Sequence, residues 1–325
     1  MGAGQTQRIK EPLGSSHSEP AVSVRGLARS FGERLALCPL DLDIGYGAIT
    51  GLIGPNGSGK TTFLRLLVGL LTPSAGTASV AGVRLVGEGV AIRRRVTYAP
   101  GEIGHYGELS LEDHLRFLLA GRAPAALARA LTLAERLGLP AGARVRSFSH
   151  GMKRQMLFAA ALAPDVRVRI LDEPTEGLDP SKRGEILAIL REDLEAAGGA
   201  RAIVLSSHHL GEVDRACERL LFLERGRLLA DERAADLARR ARRLLRLRYG
   251  SDAPTERLAT ALERLGAERV RWEGSQAAVV LACDDPRPFL AGLVNLAELP
   301  APLEIAYGRL SLAELYRDLY GVEGL

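Results

Sequence analysis

The chain has 325 residues, of which 46% are hydrophobic and 25% are charged. This length is enough for about two domains that each bury a core, and the composition excludes intrinsic disorder, a collagen-like fibre and a disulfide scaffold. Lys and Arg number 43 against 39 Asp and Glu, which gives a formal net charge of +4; because this small excess is spread along the chain, we expect no nucleic-acid partner.

The first 20 residues predict a flexible tail. They are rich in Gly, Ser, Pro and charged residues and contain no apolar run of the kind that a secretory signal requires. Elsewhere the longest uncharged run, residues 66–83, is interrupted by Pro73 and Gly76, which favour a turn. We therefore expect no segment to span a bilayer, and any role at a membrane would depend on a partner protein.

Residues 21 to about 232 alternate between predicted strands and helices. An apolar strand at 48–53 precedes a glycine-rich turn and an amphipathic helix from Lys60 to about residue 71. Two further apolar strands, at 167–171 and 202–205, each end in a polar loop. Strands that end in polar loops before helices are typical of a parallel α/β sheet whose functional site lies at the carboxyl ends of the strands.

The glycine-rich turn carries the pattern GxxxxGK[ST], in the required setting between a strand and a helix. Gly57 and Gly59 allow the backbone to curl so that successive N–H groups form an anion-binding nest, to which the helix N-terminus adds its positive end. Lys60 is predicted to reach the β- and γ-phosphates of a nucleotide, and Thr61 to offer a hydroxyl to Mg²⁺. The residues predicted to bind the nucleotide in this segment are Gly54, Pro55, Asn56, Gly57, Ser58, Gly59, Lys60, Thr61 and Thr62.

Two adjacent acidic residues follow the strand at 167–171. Asp172 comes at the end of a buried strand beside the phosphate loop and can hold Mg²⁺ directly or through water. Glu173 is then placed to orient the attacking water and to accept its proton. Acidic pairs after strands are common by chance, so this pair indicates a catalytic site only because the phosphate loop is also present. Together the two motifs predict a Mg²⁺-dependent nucleotide hydrolase.

After about residue 232 the pattern changes to that of a small second domain, residues 233–325. Strands are predicted at 244–249, 268–272, 277–282 and 303–307, and helices at 255–265, 286–296 and 311–320. The order β-α-β-β-α-β suggests a small ferredoxin-like α+β unit that is followed by one last helix.

Five motifs in this order resemble those of the ATPase subunits of ABC transporters. Besides the phosphate loop, the run DEPTEGLDP at 172–180 looks like the Walker B and D-loop segment of that family. The run FSHGMKRQ at 148–155 is similar to its signature sequence, and SSH at 206–208 matches its switch histidine. Phe31 stands where the adenine-stacking aromatic residue of the family falls. The resemblance covers about residues 21–232.

The resemblance implies an ABC-type P-loop NTPase domain, an α/β RecA-like core with an α-helical subdomain at about residues 91–160. It also implies a head-to-tail dimer of nucleotide-binding domains, either two copies of this chain or this chain with a related ATPase, in which each ATP lies between one phosphate loop and the partner's signature. His208 would then hydrogen-bond the γ-phosphate and hold Glu173 and water in line, and Asp179 would lie at the dimer seam. The implied signature residues that contact the partner's ATP are Ser149, His150, Gly151 and Met152.

The signature and the segment after Tyr98 depart from the family pattern. His150 and Met152 replace a glycine and a glutamine, but the signature keeps its serine and its second glycine, which make the phosphate contacts. The family's glutamine after the strand is replaced by Gly101, which has no side chain to ligate a metal. We hypothesise that Glu102, or water, fills the metal-side role there.

A further departure lies in the strand before Asp172. Arg167 and Arg169 fall where a buried parallel strand should be apolar. Either the strand is short and begins near residue 170, or the arginines lie at its mouth.

The PGE run after Tyr98, the signature variant and the C-terminal extension resemble the ABC-2-type, multidrug-export-like branch of the family. In that branch the membrane-spanning permease is a separate chain. The resemblance thus implies an ATPase that binds ATP and Mg²⁺, lies peripherally on the cytoplasmic face of the membrane and powers export of a drug, antibiotic or lipid-like cargo. The alternatives are the ATPase of an uptake system and a soluble ABC-type ATPase that acts on a ribosome or on DNA. Against the last, the chain has one ATPase half and neither a zinc module nor a long coiled coil.

Overall fold

The computed structural model describes residues 19–87, 89–102, 104–208, 216–251, 253–296 and 299–307, without the side chains of residues 240 and 241. Residues 1–18 of the predicted tail and the predicted helix at 311–320 lie outside the described residues. Within the described part, no helix combines the length and the apolar composition that crossing a bilayer requires.

The strands up to residue 233 form two sheets. In chain order they are β1 (Val22–Phe31), β2 (Arg34–Ile44), β3 (Ile49–Ile53), β4 (Ala75–Val80), β5 (Val83–Arg84), β6 (Val96–Ala99), β7 (Val168–Leu171), β8 (Ala202–Ser207), β9 (Arg219–Glu224) and β10 (Arg227–Arg233). One sheet is antiparallel with the order β2-β1-β4-β5. The other has the order β10-β9-β3-β8-β7-β6, and only β10 pairs antiparallel in it. The predicted parallel sheet is thus confirmed.

Helices cover both faces of the six-stranded sheet. The helices of this part are α1 (Lys60–Leu67), α2 (Val90–Arg93), α3 (Leu111–Leu118), α4 (Pro124–Arg136), α5 (His150–Leu162), α6 (Pro180–Ala196) and α7 (Ala234–Arg242). Alternate strand residues belong to different buried clusters: Leu52 packs with Phe63 of α1, whereas Ile53 belongs with Phe158 of α5. Because both faces are covered, the inner strands of this sheet are mostly apolar, as parallel strands usually are.

Helix α1 is shorter than the sequence pattern predicts. It ends at Leu67 rather than near residue 71, because Val68 leaves the helical conformation and Gly69 follows with a φ of +66°. A left-handed glycine just after the last turn is a common way for a helix to end.

Of the two arginines near β7, Arg169 is buried with a carboxylate partner and Arg167 is exposed. The strand begins at Val168, so the expectation that it begins near residue 170 is wrong, and Arg169 lies inside it with only 2% of its surface exposed. Its Nε and one terminal nitrogen donate to Asp193 of α6 at 2.6 and 2.9 Å. Arg167 does lie at the mouth of the strand, where its guanidinium carbon is 4.2 Å from the ring centre of Tyr46.

The C-terminal part forms a separate four-stranded sheet. Its elements are β11 (Leu244–Arg248), α8 (Thr255–Arg264), β12 (Ala267–Glu273), β13 (Gln276–Leu281), α9 (Arg287–Val294) and β14 (Glu304–Tyr307). The sheet is antiparallel with the order β12-β13-β11-β14, and the element order β-α-β-β-α-β is that of a ferredoxin-like unit. Leu237 of α7 belongs to the buried cluster of the first domain, and the predicted domain limit at 232/233 stays a prediction.

Candidate nucleotide-hydrolysis site

The predicted phosphate loop, residues 54–59, lies between β3 and α1 and is pressed against neighbouring backbone. Gly57 and Gly59 have φ values of +78° and +109°, which glycine adopts without steric cost. A Cβ at Gly54 would lie only 2.1 Å from the carbonyl oxygen of Leu223. The glycines are therefore needed both for the backbone conformation and for the close packing, and the curled loop is of the kind that turns its N–H groups toward an anion.

Lys60 is buried at the base of this loop. Its ammonium donates to the carbonyl oxygens of Gly54 and Pro55 at 2.7 and 3.2 Å. The same nitrogen lies 3.3 Å from Oε1 of Glu173. The structure thus brings together two of the three residues predicted to be catalytic, Lys60, Glu173 and His208, although 113 positions separate Lys60 from Glu173 in the chain.

Asp172 directly follows β7 as a fully buried carboxylate with hydrogen-bond donors on both oxygens. Ser206, on the adjacent strand β8, donates from its hydroxyl to Oδ1 at 2.6 Å, and Tyr98 of β6 donates to Oδ2 at 3.4 Å. Burial, together with the charge of Asp172, raises the pKa of Tyr98 to about 12, so the phenol keeps its proton and remains a donor. The backbone N–H of Glu173 donates to Ser206 in turn, at 2.9 Å.

Glu173 has an unusual backbone conformation that directs its carboxylate. Its φ is +51°, a region that costs a non-glycine residue about 1–3 kcal/mol. The carboxylate lies between Lys60 and His208: Oε1 faces the ammonium, and Oε2 accepts a hydrogen bond from Nδ1 of His208 at 2.5 Å. A carboxylate held between a cation and a histidine is suited to accept a proton from a water molecule.

A cleft of about 380 Å³ opens over the phosphate loop. Phe31, at the end of β1, forms part of its wall and leaves 45% of its surface exposed. The guanidinium carbon of Arg29 lies 4.6 Å from the centre of the Phe31 ring and so covers one face of it. The residues that line the cleft are Phe31, Arg34, Ala36, Asn56, Gly57, Ser58, Gly59, Lys60, Thr61, Thr62 and Glu173.

The signature residues lie outside this lining, at the start of α5. Ser149 is the N-cap residue of the helix, and its hydroxyl accepts a hydrogen bond from the N–H of Met152 at 3.2 Å. Ser149 and His150 are exposed, whereas Gly151 packs closely enough that a Cβ there would lie 3.0 Å from Leu178. A helix N-terminus that is capped but exposed can still present its N–H groups to an anion on another molecule.

Asp179, at the end of the turn that follows Glu173, is also exposed. It is the N-cap residue of α6, where its carboxylate accepts a hydrogen bond from the N–H of Lys182 at 3.0 Å. The side chain of Asp179 is therefore fixed by its own helix while its surface remains exposed.

Gly101 faces the buried carboxylate of Asp172. A Cβ at this glycine would lie 3.4 Å from Cγ and 3.5 Å from Oδ2 of Asp172. Glu102 is 89% exposed and lies 3.4 Å from the guanidinium of Arg65. Its metal-side role stays a prediction.

Sequence reasoning did not single out three residues of the site. Ser206 connects the two acidic residues, and its position in the SSH run at the end of a strand is the signal that could have found it. Arg34 lines the cleft three residues after Phe31. Arg154 is a buried arginine within the signature helix, and its place in the run FSHGMKRQ at 148–155 is the signal that could have found it.

The oxygen atoms at the site suit Mg²⁺. Thr61, which carries a hydroxyl, lines the cleft, and Asp172 supplies a carboxylate at the adjoining strand end; hard divalent cations prefer such ligands. A second group of ligand atoms, on Glu173, Glu176 and His208, lies within 4.8 Å of one another. There both carboxylates already face cations, Lys60 and Arg154 respectively.

Known proteins with similar sequences are ATP-binding proteins of the ABC transporter family. The sequence profile of the ABC transporter family matches residues 37–176. The Nod factor export ATP-binding protein I of Ralstonia nicotianae is 35% identical over 309 residues, which cover 92% of this chain and 93% of that protein. The daunorubicin resistance ATP-binding protein DrrA3 of Streptomyces coeruleorubidus is 37% identical over 228 residues, which cover 68% and 70%.

Solved structures with a similar fold are ATP-binding cassettes. An ATP-binding subunit of an ABC transporter superposes with a TM-score of 0.61 at 30% identity and covers 67% of this chain and 92% of its own. The dimeric cassette MJ0796 gives a TM-score of 0.59 at 22% identity, with coverage of 66% and 98%, and supports the fold.

Proposed function

This chain belongs to the ABC transporter family as an ATP-binding subunit with ATPase activity, and from that premise we propose that it powers an ABC-2-type exporter through a separately encoded membrane permease. The observation that carries this proposal is the similarity to a protein named for Nod factor export, which extends over 92% of the chain and thus includes the C-terminal domain. A second relative is named for daunorubicin resistance. The proposed cargo is a drug, antibiotic or lipid-like molecule.

In the proposed reaction the chain binds the phosphates of ATP and activates one water molecule. The N–H groups of the phosphate loop and the ammonium of Lys60 hold the β- and γ-phosphates. Mg²⁺, held by Thr61 and Asp172, would neutralise charge on the phosphate oxygens. Glu173 accepts the proton of the attacking water, and His208 keeps the carboxylate in line with the γ-phosphate.

The base of the nucleotide is proposed to stack on Phe31. One ring face is covered by Arg29 at 4.6 Å, and the ring is nearly half exposed at the wall of the cleft. A cation on one face and a π-system on the other is a favourable arrangement for an aromatic ring.

Two such domains are proposed to close head to tail around two ATP molecules. The exposed N-terminus of α5 offers the hydroxyl of Ser149 and the N–H of Gly151, which the partner's γ-phosphate would engage. His150 and Met152 flank these contacts, and Asp179 would lie at the seam. ATP then bridges the two domains, and hydrolysis releases them.

The proposed contact with the permease lies in the helical part, beside the segment that follows Gly101. The rings of Tyr106 and Phe117 meet edge to face at 5.0 Å, and both side chains are more than half exposed. Exposed aromatic pairs of this kind are common at protein interfaces. A cytoplasmic helix of the permease docked on this pair would hold the chain at the cytoplasmic face of the membrane and move with ATP-driven closure.

The proposal is tested by tagging the chain in its native host, solubilising the membranes gently and identifying the proteins that co-purify. We expect a polytopic membrane protein with the wild type and its loss with Phe117→Asp, whose ATPase activity should remain. Leu70→Asp, which changes another exposed apolar residue, is the matched control and should retain the permease. Recovery only with ribosomal or DNA-bound partners would contradict the transport function, and an extracellular binding protein in the complex would indicate uptake.

A further inference from the structure

Arg154 of α5 is the buried cation that joins the separate segments of the site. One terminal nitrogen donates to the backbone carbonyl of Glu173, and the other donates to the carbonyl of Gly101 at 3.0 Å. The latter nitrogen also lies 3.0 Å from Oε2 of Glu176 and 3.3 Å from Nε2 of His150. A single guanidinium thus contacts the ends of β6 and β7, the turn before Asp179 and the signature.

Burial of the charged guanidinium of Arg154 costs free energy. Only 3% of its surface is exposed, and burial lowers the pKa of its guanidinium although Glu176 and Glu173 oppose that shift. A buried charge is costly unless its hydrogen bonds are well satisfied. The planar fork of an arginine holds acceptors on separate nitrogens in a fixed geometry, which the single nitrogen of a lysine cannot do.

Arg154 contacts the backbone of Glu173, the residue that is proposed to activate water. The backbone of Glu173 is in a left-handed conformation, with a φ of +51°, and such strain persists only where neighbours hold it. Arg154 holds its carbonyl, while Ser206 holds its N–H at 2.9 Å. A side chain from the signature helix thus contacts the backbone of the residue whose carboxylate faces Lys60 and His208.

Position 101 offers no side chain that could make this connection. Gly101 lies beside Asp172, yet it contributes to Arg154 only its carbonyl oxygen. Glu102, the next residue, is directed to solvent and to Arg65. Among the described residues, Arg154 is the side chain for which hydrogen bonds to both the Gly101 and the Glu173 carbonyl are seen.

We propose that Arg154 is a positioning residue that couples the signature helix to Glu173. When the N-terminus of α5 engages the partner's nucleotide, His150 and Arg154 move with the helix, and the guanidinium sets the backbone of Glu173 for attack. The proposal rests on the ATPase function proposed above and adds to it a route by which occupancy of one site controls the carboxylate of the other.

The first test compares Arg154→Lys with the wild type. Lysine keeps the charge but loses the fork, so we expect kcat for ATP to fall about 10- to 100-fold, the loss that misplacement of a reacting group by about 1 Å causes. KM for ATP should change less than about threefold, because Arg154 is absent from the cleft lining. Arg136→Lys, which alters an exposed ion pair with Glu192, is the matched control and should retain full activity.

The second test separates positioning from a merely structural role by a double-mutant cycle with Ser149→Ala. If both residues act through one coupling, kcat of the double variant should equal, within about threefold, kcat of the slower single variant. The proposal would be overturned if the fold-loss of kcat in the double variant equalled the product of the two single fold-losses, or if KM changed while kcat did not. Melting curves and binding of a fluorescent ATP analogue are measured on every variant, and a wild-type chain that releases no phosphate would contradict the proposed function instead.

Discussion

The chemistry of the site depends at the residue scale on the 3.3 Å contact between Lys60 and Glu173. Each charge compensates the other in a place where Lys60 is almost fully buried. When ATP binds, the same ammonium must face the phosphates as well, so it is attracted from both sides. A cation fixed in this way stabilises the charge that develops on the transferred phosphoryl group.

We predict that Lys60→Ala lowers kcat/KM for ATP by about 100-fold or more, because the phosphates lose their buried cation and Glu173 loses its partner. Phosphate release and binding of an ATP analogue measure the two effects separately. Lys182→Ala is the control, since the ammonium of Lys182 contacts Glu185 and the carbonyl of Leu137, away from the cleft. An active Lys60→Ala variant would show that the loop does not bind phosphate.

At the scale of elements, a buried charge network ties α6 to the central sheet. Asp193 of α6 accepts hydrogen bonds from both Arg169 of β7 and Arg201, the latter at 2.6 Å. Arg169 also donates to the carbonyl of Ala161 in α5 at 2.9 Å. Asp193 thus compensates Arg169 and shares Arg201 with Asp165, whose carboxylate lies 2.7 Å from the other terminal nitrogen of Arg201.

Removal of this carboxylate should destabilise the fold far more than removal of its neighbour. We predict that Asp193→Ala lowers the free energy of unfolding by about 3 kcal/mol or more, because it leaves the buried guanidinium of Arg169 without its carboxylate. Glu192→Ala is a matched control one residue away: Glu192 pairs with Arg136 at the surface and its loss should change little. Urea unfolding of both variants measures the difference, and equal stabilities would contradict the assigned role of Asp193.

The same network shows why some elements could be predicted from the sequence and others could not. The phosphate loop and Asp172 were predictable because their chemistry fixes residue types at fixed spacings next to an apolar strand. The burial of Arg169 was not, because its partner lies 24 residues away and only the packing of α6 brings them together. The contacts of Arg154 could not be predicted for the same reason, since their acceptors belong to distant segments of the chain.

At the scale of the whole molecule, the phosphate loop and the signature occupy different surfaces of one chain. The cleft over the loop is lined by Phe31, Lys60, Glu173 and their neighbours. The N-terminus of α5, with Ser149 exposed, lies outside that lining. A complete site in the proposed cycle therefore needs a second nucleotide-binding domain. ATP binding should then convert monomers to dimers and double the particle mass.

We predict that Glu173→Gln traps a dimer in the presence of ATP and Mg²⁺. The carboxamide cannot accept the proton of the attacking water, so ATP stays intact and continues to bridge the two domains. Light scattering should show twice the monomer mass with ATP and the monomer mass with ADP. A Glu173→Gln chain that remains monomeric with ATP would contradict the proposed head-to-tail closure of the isolated chain.

Two further variants identify the surfaces of that dimer. Glu173→Gln combined with Lys60→Ala should remain monomeric because ATP is no longer held. Glu173→Gln combined with Ser149→Asp should bind ATP yet remain monomeric, since Asp keeps the N-cap of α5 but places a carboxylate at its exposed start, where it would repel the partner's γ-phosphate. If the Ser149→Asp chain still dimerised, the dimer would use a surface other than the signature, and the coupling assigned to Arg154 would be contradicted.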